Sequence, residues 1–391
     1  MDTIQSILNA MMREALSPQT AAVAIAVIGL NIHFGYTGLL NMGQAGFMLL
    51  GAYGFGIAVW HGLPFVVGIL LGFGAAFVFA LVLGVPTLKL RGDYLAIVTI
   101  SAAEIIRYVG RSALLTDFSG SAQGIPGSQY RDPFTNLSFF GGGSFTLLPF
   151  NYFDVADGAA WVRIVGWVLA AACIAALVYV LRSGDRFSGW ARNGLVVLLA
   201  VIGLFLLFFL FPVPNQRTGV NGWWVRFIAW SLVLLCSFVV YLLVRSPWGR
   251  LLRGIREDED AIRSLGKNVF AIKMQALIIG GLFGALGGIV YVLPASVQPD
   301  SMGRTLTFFC YTALLLGGAA TIFGPVLGSI LFFAGRIFIK AASQAYIPDS
   351  ILTDQKTEQF SYIVVGVALM LLVIFRPQGI LGNKRELRFD V

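Results

Sequence analysis

The chain has 391 residues, 58% hydrophobic and 12% charged, with a mean hydropathy of +0.83. Soluble chains average about 25% charged residues, so this composition, with apolar runs of near-spanning length, argues against a soluble domain and for a membrane protein of many spans. The net charge of +8 is dispersed among loops without aromatic interleaving, which fits the inner loops of a membrane protein and sets nucleic acid aside.

The opening stretch MDTIQSILNAMMREALSPQT lacks the basic and apolar regions of a cleaved signal peptide. It predicts a short amphipathic surface helix within 1–19, ended by Pro18. Apolar segments follow at 20–37, 41–60, 63–86, 93–110, 161–181, 194–212, 223–244, 272–295, 304–322, 324–342 and 360–376. Each approaches the ~20 residues that cross a bilayer as a helix. The fold class expected is therefore all-α: a polytopic membrane bundle over 20–376, with about nine to eleven transmembrane helices. The first two segments are rich in Gly and Asn, which makes one of them a candidate for a broken or re-entrant helix. Such backbone survives at membrane depth only where protein or water covers it.

The loops sort by charge. Lys89 and Arg91 share one, and Arg182, Arg186 and Arg192 another. Arg245, Arg250, Arg253, Arg256, Arg263, Lys267 and Lys273 crowd 245–273, and the tail 377–391 holds Lys384, Arg385 and Arg388. The alternate loops 111–160 and 343–359 carry balancing acids. The excess of positive charge assigns 87–92, 182–193, 245–272 and the tail to the cytoplasm, and 111–160 to the opposite side. The number of segments between successive basic loops is even, as this requires.

Cys173, Cys236 and Cys310 lie in or beside apolar runs without metal-ligand spacing, and read as small packing residues. Gly280, Gly284 and Gly288 repeat every four residues, as do Gly324 with Gly328 and Gly68 with Gly72, a spacing that lets helix backbones approach closely in lipid. No phosphate-binding loop, nucleophile elbow or HExxH motif is present, so the chain reads as a passage rather than an enzyme, with no metal or cofactor of its own.

Polar residues inside apolar segments are the default functional candidates. Asn31, Tyr36, Thr37, Asn41 and Gln44 cluster among glycines in GLNIHFGYTGLLNMGQAGF, and Thr99 joins them from a later segment. Such groups can border a solute path or satisfy the backbone of a broken helix, and the sequence leaves both open. Glu104 and Arg107 lie three apart on one helix, with Arg111 beyond, so an intrahelical ion pair competes with a path-lining role.

The stretch RSPWGRLLRGIREDEDAIRSLGKN is the most charged of the chain. Ser246 and Pro247 predict a helix start. Gly254 marks an interruption, and a second short helix is expected from Arg256 to Leu265 with Gly266 at its C-terminal cap. Ile255, Ile262 and Leu265 fall on one side. The acids Glu257, Asp258, Glu259 and Asp260 crowd the first turn, and Arg256–Asp260 and Glu259–Arg263 stand at ion-pair spacing. A solvated connector and a docking surface both fit. The length of the loop and its apolar side favour docking.

GYTGLLNMGQAGFMLLGAYG, LKLRGDYLAIVTISAAEIIR, GRLLRGIREDEDAIRSLGKN and the run from LLLGGAATIFGPVLGSIL to RPQGILG together resemble the permease subunits of bacterial ABC importers for branched-chain amino acids, in the longer form called LivM. Urea and short-amide importers use a similar permease. Asp260, Ala261, Ile262 and Gly266 stand where importer permeases have E-A-A-x-x-x-G. The resemblance implies that Arg256, Glu257, Asp258, Glu259, Asp260, Ala261, Ile262, Arg263 and Gly266 form a cytoplasmic coupling helix seated in an ATPase subunit. It implies a second homologous permease, two ATP-binding subunits that hold all the ATP, and an extracytoplasmic solute-binding protein, in the bacterial plasma (inner) membrane. The chain departs from the family at SGSAQGIPGSQ, where a TGG-x-N-G-L-T-G-I-like stretch is usual, and at 161–212, an added pair of spans. An autonomous secondary transporter would need coupling carboxylates at mid-membrane, and Glu104 is the one clear candidate.

Overall fold

The computed structural model describes residues 2–88, 92–127, 160–182, 189–210, 223–346, 354–376 and 378–382. Among them the secondary structure is helical apart from one bridge between Ile125 and Val297. The longer helices are α1 (Asp2–Ala15), α2 (Pro18–Leu30), α3 (Gln44–Trp60), α4 (Phe65–Thr87), α5 (Gly92–Gly110), α6 (Ala160–Arg182), α7 (Gly189–Leu210), α8 (Trp223–Arg245), α9 (Pro247–Glu257), α10 (Glu259–Ser264), α11 (Val269–Val292), α12 (Arg304–Gly317), α13 (Gly324–Tyr346) and α14 (Asp354–Phe375). Every apolar segment expected from the sequence contains one of them. Five are long and apolar enough to cross a membrane by themselves: Pro18–Tyr36, Phe65–Thr87, Val225–Arg245, Val269–Val292 and Gly324–Tyr346.

Helix α2 forms the centre. Ser17 caps it by accepting from Thr20 N at 3.1 Å, and Pro18 opens it with a fixed φ. Ala21 through Val27 are fully buried, because α8, α11, α12 and α13 surround this helix. A helix apolar on every side belongs in such a place. By contrast α4 buries one stripe, Gly68, Gly72, Ala76, Ala80, Leu83, Gly84 and Thr87, and turns Val66, Leu70, Val78 and Val82 outward. That division is what a lipid-facing span requires.

Helix α11 joins α2, α3 and α4. Its contact with α3 is backbone on backbone: a Cβ at Gly288 would fall on the Met48 carbonyl, and one at Gly51 on the Ala285 backbone. Small residues permit such an approach, which gains dispersion contacts where no hydrophobic driving force acts between helices.

Two interruptions shape the interior. Helix α2 loosens into a π-helical turn over Asn31–Tyr36, and the chain then runs non-helically before α3 begins at Gln44. Gln44 Nε2 donates to Ala26 O at 3.0 Å, so α3 starts beside the middle of α2. The stretch between them is the broken part of the fold expected from the sequence. The second break lies between the segments expected at 304–322 and 324–342, and begins earlier than the first of these allows. Helix α12 has 14 residues, about 21 Å of rise against a hydrocarbon core near 30 Å. It stops at Gly318, φ +111, and Ala320 adopts φ +61 before α13 starts at Gly324. A turn from the RPQGILG stretch closes this end: Ile380 N donates to Leu316 O and Leu381 N to Gly317 O, both at 3.0 Å.

The helix boundary in the charged loop also differs from expectation. The chain stays helical through Gly254 and breaks at Asp258, φ −152, ψ 105. The Asp258 carboxylate accepts from Asp260 N at 2.9 Å and Ala261 N at 3.0 Å, which makes it the N-cap of α10. Asp is a strong cap, whereas glycine is merely tolerated within a helix. Gly266, φ +74, follows α10 as expected. Replacing Asp258 with Ala should destabilise α10 by about 1 kcal/mol. Faster amide exchange confined to 259–264 checks it.

Candidate functional site

The polar residues singled out between Asn31 and Gln44 come together at the first break, and their hydrogen bonds go chiefly to backbone. Asn31 bridges both breaks: Oδ1 accepts from Ala320 N at 2.8 Å, and Nδ2 donates to Thr321 O at 2.7 Å. The first N–H groups of a helix, and those of the non-helical chain leading into it, have no carbonyl a turn behind them. Side chains take that role at the start of α3: Thr99 Oγ1 accepts from Met42 N at 2.9 Å and Asn41 Oδ1 from Gly43 N at 2.9 Å just before it, and Thr307 Oγ1 from Ala45 N at 3.0 Å in its first turn. Thr37 Oγ1 donates to Ile32 O at 2.8 Å, and the buried Tyr36 ring takes a guanidinium contact from Arg253 at 5.8 Å.

His33 stands at the heart of this network, and it was not among the residues singled out from the sequence. Its Nε2 lies 3.1 Å from Leu277 O and its Nδ1 3.1 Å from Asn41 Nδ2. A carbonyl only accepts, so the proton belongs on Nε2 and Nδ1 accepts from the amide. The detectable signal was a lone imidazole between Asn31 and Gly35 in an apolar run. An Asn31→Leu change keeps the bulk and leaves Ala320 N and Thr321 O without their partner, a cost of about 2–4 kcal/mol. A lower unfolding temperature in detergent checks it.

Glu104 and Arg107 form the expected ion pair at 2.7 Å. They also belong to a larger cluster. Arg107 reaches Asp300 at 2.6 Å, Arg111 reaches it at 3.3 Å, and Glu104 Oε1 accepts from Arg304 N at 3.2 Å. This ties the end of α5 to the start of α12. Nearby, Ile125 N donates to Val297 O at 2.9 Å, so the described part of the divergent stretch, up to residue 127, packs onto the same end. Asp300, in the short helical turn before α12, and Arg304, the first residue of α12, are groups that the sequence pattern gave no reason to join to α5.

The opposite end carries the charged helices. A cavity of about 880 Å³ opens there, with Thr37 and Gly38 of the first break, Leu88, and residues from Ile255 to Lys273 among its walls. Helices α9 and α10 are fastened to the bundle on their apolar side. Leu252 and Ile255 are buried, and Ile262 packs against Gly254. Glu259 pairs with Lys273 of α11, and Arg256 Nη1 donates to Gly35 O. The other side faces out: Arg263 pairs with Glu259 and with Asp260, both at 2.9 Å, and Leu265 is 73% exposed. Of the apolar trio, then, Ile255 and Ile262 serve as anchors and Leu265 points away.

The comparisons with known proteins bear on this arrangement of a broken central span, a surrounding bundle and an anchored charged helix pair. The model of the branched-chain amino acid transport system permease component family matches residues 12–374. The chain belongs to this permease family. Among its relatives is the high-affinity branched-chain amino acid transport system permease protein LivM of Escherichia coli, 28% identical over 94% of this chain and 69% of the relative. The LivM of Salmonella typhimurium is 28% identical over 95% and 70%. The autoinducer 2 import system permease protein LsrC of Escherichia coli is 27% identical over 57% and 68%. No solved structure matches the chain. As a member of the family it is a multi-pass transport permease subunit and not an enzyme. The matched range includes both breaks, the charged helix pair and the α5 cluster.

Proposed function

We propose that this permease subunit forms, with a second homologous permease, the inward path for branched-chain amino acids through a bacterial inner membrane. Two cytoplasmic ATPases drive it, and an extracytoplasmic binding protein delivers the solute. The chain itself binds no ATP. The observation that carries the reading is the helix pair α9–α10, anchored by Leu252, Ile255 and Ile262, with its outward side left to Asp260, Ala261, Arg263 and Leu265. A connector between two spans needs only a few residues. A capped, anchored helix at the basic end has the form of a docking element for a motor. Rigid-body movement of a docked element is an established way to switch a bundle between two arrangements.

Asn31, Tyr36, Thr37, Asn41, Gln44 and Thr99 then serve transport by fixing the shape of the breaks beside the path, with Glu104 helping to hold its outer rim. LsrC shares the family while its name refers to another solute, so the solute is the open variable. Proteoliposomes holding both permeases and the ATPases, supplied with the binding protein, should take up labelled leucine, isoleucine or valine only with ATP. Uptake of urea or acetamide in preference would shift the substrate class. Uptake by this chain alone in ATP-free liposomes would replace the importer reading with a secondary transporter.

A further inference from the structure

We infer that Arg256 acts inward, as a positioning residue that joins the docked helix pair to the intramembrane breaks through the Gly35 carbonyl. The inference rests on the importer reading and specifies where the work enters.

The last carbonyls of a helix have no partner within it and carry the negative end of its dipole. Gly35 lies in the π-helical turn that ends α2, where its carbonyl accepts from Arg256 Nη1. A guanidinium is suited to this position, because its charge strengthens the bond and its planar fork fixes the direction. The contact is broader than one bond. A Cβ built on Gly38, φ +75, would lie 3.3 Å from Arg256 Cγ, so the aliphatic stem packs on the chain just beyond the turn. Arg253, three residues earlier and so about one turn back on the same face of α9, stands over the Tyr36 ring at 5.8 Å. Three residues of the break therefore take contact from α9.

From Gly35 the connection continues inward. One turn back, Asn31 grips Ala320 and Thr321 in the second break. The far side of that break is held by the turn at 378–382 through Leu316 and Gly317. The cavity of about 880 Å³ borders Gly38, Arg256 and Glu259, so the helix pair has open space on one side. A displacement of α9 can thus be delivered to both breaks at once. The second tie, Glu259 to Lys273, leads elsewhere, to the first turn of α11.

The test uses the full complex in proteoliposomes, with Arg256→Gln and Arg256→Lys compared with the parent for copurified ATPase, ATP hydrolysis and solute uptake. Arg256→Gln should keep the ATPases bound while uptake per ATP falls about tenfold, the factor that follows from losing one charge-assisted hydrogen bond. Arg256→Lys keeps a cationic donor and should recover part of that ratio. Loss of bound ATPase in Arg256→Gln would overturn the inference, because Arg256 would then be an outward contact. An unchanged ratio of uptake to ATP would overturn it as well. Equal loss of thermal stability in both variants, with no recovery in Lys, would reduce Arg256 to a packing residue and overturn it too. Failure of the importer reading itself is told apart in the parent complex, which would then show no ATP-dependent uptake.

Discussion

A Gly288→Leu variant should fail to accumulate as folded protein. A Cβ at this position would lie 2.5 Å from the Met48 carbonyl carbon and 2.7 Å from its Cα. These are backbone atoms of α3, which cannot rotate away as a flexible side chain can. Relief requires α3 to leave α11, and that separation stretches the bonds from Gln44 Nε2 to Ala26 O and Gly280 O. Overpacking alone costs about 1–3 kcal/mol. Adding buried amide groups left without partners raises the total above about 4 kcal/mol, a large share of the net stability of a domain. The measurement is the monodisperse fraction after extraction in mild detergent, with Gly74→Leu as the control. Gly74 has open space where its Cβ would be, so that variant should behave as the parent. A monodisperse Gly288→Leu at parental yield would show that α3 and α11 are not locked by this contact.

Leu265→Asp should detach the ATPases while leaving the bundle intact. Leu265 is the large apolar side chain that the helix pair presents outward, at the end of α10 beside Gly266. It contributes little to the permease's own core, whereas Ile255 and Ile262 are committed to it. Apolar anchors at the centre of an interface are each worth about 2 kcal/mol or more, near thirtyfold in affinity. An aspartate there loses the apolar contact and adds a charge that must be desolvated. Copurification of the ATPases with the tagged permease should fall by that factor, and the size-exclusion profile of the permease alone should stay unchanged. Unaltered copurification would assign docking to the exposed charges of Asp260 and Arg263 instead.

Sequence by itself determined the elements of this protein. Apolar runs of spanning length can bury themselves in lipid only as helices, because no water reaches the bilayer core to satisfy exposed backbone. Ser246 and Gly266 mark ends by local bonding and φ preference, so these too were legible. The glycine spacing announced close packing for the same reason: it is a property of one helix face. The charged loop was visible as a helix with an apolar side, though the break at Asp258 was placed four residues early, since a carboxylate cap competes with a glycine only through its actual backbone geometry.

Tertiary structure alone decided what the polar residues touch. Asn31 could have faced a solute or a broken helix, and its partners at Ala320 and Thr321 lie nearly 300 residues away in sequence. Glu104 looked like half of a local pair until Asp300 and Arg304 arrived from the start of α12 and the turn before it. The acids of the charged stretch drew attention first, yet the link to the interior runs through Arg256 and a glycine carbonyl, which no side-chain pattern records. The physical reason is common to all three. A periodicity reports which face of a helix is buried, whereas a hydrogen bond depends on which unpaired backbone group the fold brings within about 3 Å.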